Sequence, residues 1–190
     1  MSGRHIPRHQ KRMAGAGCLI LSAATVLPSC GNLVYTDIEG QTGVGRSESG
    51  DIEIHVQPCG TKVDYIAVSG KFEYPTSEAS TGSVPPEGGN PDFGRLKANK
   101  PQRDPFVVNL NNPPAPWKIE SPINLPADES TWLLISATPT SQDKETARVV
   151  VQKQSILQLQ PGDILIGKSA DMGGSGTSIV TQEEFNQCAD

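Results

Sequence analysis

The stretch Asp51-Ile52-Glu53-Ile54-His55-Val56 decides the fold class. Ile52, Ile54 and Val56 fall on one side of an extended chain, Glu53 and His55 on the other. Side chains of a strand alternate between its faces, so this period of two predicts a half-buried β-strand with His55 turned to solvent. Pro58-Cys59-Gly60 closes it as a turn, and a second strand, rich in Val, Ile and Tyr, is expected over 63–72. The two read as a hairpin with a cysteine at its turn.

Working outward, the same short alternating runs recur at 106–110, 117–125, 131–137, 147–152, 156–159 and 163–166, separated by turn residues such as Pro161-Gly162. Pro122 lacks an N–H for a ladder bond, which marks the 117–125 strand as an edge. Helix is scarce. Thr181-Gln182-Glu183-Glu184 has the form of a capping box opening one short helix, with Phe185 turned inward. The expected fold is mainly β, an antiparallel β-sandwich that allows an immunoglobulin-like arrangement, with a short C-terminal helix.

Two stretches lack this pattern. Residues 31–50 are rich in Gly, Ser and Thr and read as a flexible tether. Residues 75–105 are broken by Pro85-Pro86, Gly88-Gly89 and Asn90-Pro91 and read as a long loop. That loop carries Arg95, Lys97, Lys100 and Arg103, a basic cluster suited to an anionic surface.

The N-terminus has a different character. Arg4, Arg8, Lys11 and Arg12 precede an apolar run over 13–26, too short for a comfortable membrane span. Leu27-Pro28-Ser29-Cys30 follows. This arrangement resembles the signal sequence and lipobox of bacterial lipoproteins. The resemblance implies recognition of Leu27 and Ser29 by a lipoprotein signal peptidase and cleavage before Cys30. It also implies a diacylglyceryl thioether on the Cys30 sulfur and an acyl group on the new amine. The expected organisation is a cleaved signal over 1–29, a lipidated cysteine and tether over 30–50, and a β-sandwich over 51–190. The expected location is the outer side of a bacterial cell membrane. The strand at 51–56 running into Pro58-Cys59-Gly60, with the cysteine near the C-terminus, also resembles actinobacterial envelope lipoproteins; no functional residue transfers from that likeness.

Cleavage would leave 12 basic against 21 acidic residues, a mature charge of −9. Nucleic-acid phosphates call for a basic surface, so nucleic acid is set aside as a partner. Of four cysteines, Cys18 leaves with the signal and Cys30 takes the lipid. Cys59 and Cys188 remain, and in an oxidising compartment the simplest outcome is a disulfide between them.

Chemistry is harder to find. His55 would be the sole histidine of the mature chain, and no G-x-S-x-G elbow accompanies it, so no catalytic residue is assigned. One histidine beside a disulfide does not make a zinc set, and no metal or cofactor is expected beyond the lipid on Cys30. Asp171 before Gly173-Gly174-Ser175-Gly176 lacks the alternating acids of an EF-hand loop. Gly43-Val44-Gly45 has no strand signal before it and is weak as a dinucleotide fingerprint. The expectation is a non-enzymatic envelope domain binding a partner protein or envelope polymer. A small-molecule binding lipoprotein is the alternative, and an envelope hydrolase stands third.

Overall fold

Two antiparallel sheets bury their facing sides against one another. The computed structural model describes residues 37–70, 90–141, 144–167 and 176–188, all within one compact unit, Val34–Asp190. The first sheet has the order β11-β10-β1-β2-β5, with β8 pairing on β1; the second runs β6-β4-β3-β7-β9. The first sheet is built from β1 (Asp37–Arg46), β2 (Ile52–Gln57), β5 (Phe106–Asn109), β8 (Lys144–Ala147), β10 (Ile164–Gly167) and β11 (Thr177–Val180). The second contains β3 (Val63–Gly70), β4 (Asp92–Gln102), β6 (Trp117–Ser121), β7 (Trp132–Thr138) and β9 (Val149–Gln152). The β-sandwich expected from the alternating runs is the fold. With eleven described strands and a parallel β1–β8 pair, it exceeds the about seven to nine strands of immunoglobulin domains.

Register explains the core. Leu165, Val44, Ile54 and Val108 stand side by side across β10, β1, β2 and β5, and all four are buried. Opposite them, Leu96, Ile66 and Ala137 form a row across β4, β3 and β7. These rows belong to one apolar cluster. A buried polar link also crosses between the sheets. The Thr146 hydroxyl donates to the Ala137 carbonyl at 2.9 Å and lies 2.5 Å from the hydroxyl of Thr42.

Several expectations need correction. Residues 30–50 are not all tether: β1 is a central strand with Thr42 and Val44 buried, and the described sandwich begins at Asp37 rather than at 51. The strand at 52–57 does not form a hairpin with the next one. β2 and β3 lie in different sheets, and Pro58-Cys59-Gly60 is the corner between them, with Cys59 at a left-handed φ of 49°. Residues 92–102, expected as loop, form the eleven-residue β4; the earlier part of that stretch lies outside the described residues. Residues 156–159 are not a strand, since α1 (Lys153–Leu157) turns there and buries Ile156. The strand expected over 117–125 lies at an edge but is shorter: β6 stops at Ser121, immediately before Pro122, which has no N–H for the ladder.

Candidate functional site

Leu27, Ser29 and Cys30 lie outside the described residues, as does Asp171. The two outer sheet faces are described, and they differ sharply.

The C-terminal segment covers the outer face of the first sheet around Gly43 and His55. The α2 helix (Gln182–Phe185) opens with the expected capping box, in which the Thr181 side chain and the Glu184 carboxylate each bond the other's backbone N–H. Phe185 is 1% exposed and stands outside the main core cluster. Its seat is made of Gly43, Ile164 and His55. Gln41 Nε2 donates to the Phe185 carbonyl at 2.6 Å, and Gln57 Nε2 to the Asn186 carbonyl at 2.5 Å. These bonds satisfy carbonyls that a helix end leaves without partners. The Cys59–Cys188 disulfide, expected from the sequence, is formed with its Cα atoms 5.5 Å apart and ties the last turn to the corner after β2.

His55 is therefore not on a solvent face. It is 8% exposed because this second layer covers the polar side of β2. Burial holds its imidazole below the ordinary pKa range, offset in part by a hydrogen bond with Gln182. Its Nδ1 has no partner. The ring packs edge to face against Phe185.

The outer face of the second sheet leaves Arg95, Lys97 and Lys118 exposed and Tyr65, Ala67, Ser136 and Thr138 half-buried. Register places Thr138, Tyr65, Lys97 and Lys118 in one row across β7, β3, β4 and β6. The next row holds Ser136, Ala67, Arg95 and Ser121. Of the predicted basic cluster, Arg95 and Lys97 share this face. Lys100 lies in the stretch where the β3–β4 register shifts near the end of β4, and Arg103 follows the strand; both are exposed. Lys118 was missed by sequence reasoning because only the β4–β6 register brings it beside Lys97.

Arg95 bonds Asp92 at 2.7 Å, and Tyr65 and Asp92 together hold its guanidinium above the ordinary range. Lys97 reaches Glu120 only at 4.0 Å, and Lys118 has no ion pair among the described residues. Two ammonium groups directly opposite across a strand pair are mutually destabilising.

A third feature is an open concavity of about 410 Å³ between the β1–β2 turn and the segment after α1, lined by Arg46, Ser47, Glu48, Gln158 and Gln160 among others. Arg46 Nη1 donates to the Leu157 carbonyl at 2.6 Å, and its Nε is buried without a partner. Among the described residues no three His, Cys, Asp or Glu side chains gather as a metal site. No described helix is long and apolar enough to cross a membrane. Comparison with family models, curated proteins and solved structures finds no match to this chain.

Proposed function

We propose that this chain is the precursor of a bacterial lipoprotein. It is cut before Cys30, carries diacylglycerol on that sulfur and an acyl group on the new amine, and is held on the extracytoplasmic side of the cell membrane. There its sandwich binds a partner protein or an envelope polymer and carries out no catalysis. The anchor rests on the order of basic region, apolar run and Leu27-Pro28-Ser29-Cys30. Two or three acyl chains, at about 0.8 kcal/mol per buried CH₂, give stable attachment where one chain does not.

One observation carries the binding reading: the chain's own C-terminal segment covers one outer face around Gly43 and His55, whereas the other leaves Arg95, Lys97 and Lys118 exposed beside a half-buried Tyr65. A flat polar face of this kind suits an extended partner better than a small ligand, which binds in a concave, mostly enclosed site. The concavity beside Arg46 favours the second reading, a small-molecule binding lipoprotein with an anionic ligand.

The anchor is tested in a bacterial host with lipoprotein processing. The protein should partition with membranes and incorporate labelled fatty acid, and Cys30→Ala should abolish the label. Labelling that survives this substitution removes the lipobox assignment.

A further inference from the structure

We propose that the outer face of the second sheet, along β4 and β6, is a docking track for an acidic polysaccharide; this rests on the reading of the chain as an envelope-facing binding domain. Neighbouring strands are about 4.8 Å apart, so Tyr65, Lys97 and Lys118 present a phenol and two ammonium groups across about 10 Å of flat surface. Arg95 lies in the adjoining row, with Ser136 and Ser121 on neighbouring strands.

The chemistry selects the occupant. Lys97 and Lys118 stand opposite one another, the nearest acid to Lys97 is Glu120 at 4.0 Å, and a carboxylate lying between the two ammonium groups would pair with both. Arg95 keeps further N–H donors beside its bonds to Asp92 and Tyr65, in a fork that fits a carboxylate. Tyr65 has an aromatic face for a sugar ring, while its hydroxyl holds Arg95 in place. Ser121 beside Arg95, and Ser136 and Thr138 on the far side of β3, supply hydroxyls that match a chain in which acid groups alternate with sugar hydroxyls. The chain as a whole carries more acid than base, which disfavours a polyanion over most of its surface and favours the three cations grouped here.

The test is fluorescence anisotropy of a labelled galacturonic acid oligomer with the full chain in neutral detergent. Saturable binding is expected, with none to a neutral dextran oligomer. Lys97→Gln combined with Lys118→Gln should weaken binding by roughly tenfold or more through loss of two close charge contacts. Lys62→Gln, an exposed charge loss off this track, should leave the affinity unchanged. Salt at about 0.5 M should weaken binding, because the Debye length falls well below 10 Å.

No binding by the wild-type chain, or an affinity indifferent to the double substitution while thermal unfolding is unchanged, overturns the inference. Tighter binding to a glycerol phosphate oligomer or to short-chain phosphatidylglycerol also overturns it, in favour of phosphate or membrane recognition. Failure here leaves the anchor standing, because fatty-acid labelling of Cys30 is read separately. Loss of labelling with polymer binding intact removes the anchor and keeps the track.

Discussion

His55 and Phe185 meet edge to face, with ring centroids 6.0 Å apart and planes at 79°. The pair joins a central strand to the last helical turn, residues 130 apart in the chain, and covers the middle of the outer face of the first sheet. The C-terminus is thus a structural layer rather than a tail. Phe185→Ala removes the largest side chain of that layer, and the expected loss is about 3–5 kcal/mol. Chemical denaturation measures it, and a loss below 1 kcal/mol, against the figure for a buried aromatic, would mean that the layer contributes little.

The seat depends on a residue without a side chain. A Cβ on Gly43 would lie 2.5 Å from Ile164 Cγ2 and 2.9 Å from Phe185 Cε2. Gly43→Ala should therefore destabilise by about 1–3 kcal/mol, the usual cost of overpacking. In the Phe185→Ala background part of that cost should vanish, which a double-mutant cycle detects as coupling. Additive effects would contradict the packing described for Phe185.

The disulfide spans a sequence separation of 129 residues. In the chain-entropy model a closed loop of this length contributes up to about 5 kcal/mol. Cys188→Ser should lower the thermal midpoint and raise amide exchange first in α2 and in the facing residues of β1 and β2. Exchange that rises equally across both sheets, with no bias to that layer, would argue against a local clasp.

Stability should fall as the medium becomes acidic. Above about pH 6.5 the histidine is neutral in both folded and unfolded chains, and its burial carries no protonation cost. Below that pH the unfolded chain takes up a proton that the buried His55, with its lowered pKa, does not, so stability decreases as pH falls. Glu184 adds to this at lower pH. Hydrogen bonds from Thr181 depress its pKa, so the stability it contributes is present above the ordinary carboxylate range and lost as pH falls through the depressed value. Denaturation between pH 8 and 5 should show the decline below pH 6.5, flattened in His55→Gln. An unaltered slope in that variant would assign the acid sensitivity to other groups.

Strands that obey strict alternation with bulky apolar residues, such as β2, β3 and β7, were legible in the sequence, as were the capping box and the cysteine pair. β1 was hidden because its outward positions are Gln41, Gly43 and Gly45, chosen for the close approach of Phe185, Ile164 and His55 rather than for strand propensity. β4 was hidden because its inward residues include small Gly94 and Ala98 beside Leu96. The burial of His55 was missed for a related reason. Alternation identifies the face that meets the first layer, but not a second layer laid over the other face by a segment about 130 residues away. The pairing of Lys97 with Lys118 likewise depends on register between strands 21 residues apart, which neither strand encodes alone.

The most direct test of the central claim is the intact mass of the protein extracted from membranes of a lipoprotein-processing bacterial host. A chain beginning at Cys30 is expected, heavier than residues 30–190 by one diacylglyceryl and one acyl group, and lighter by the two hydrogens lost in forming the Cys59–Cys188 bond. A mass beginning at Met1, or one beginning elsewhere without lipid, would contradict it.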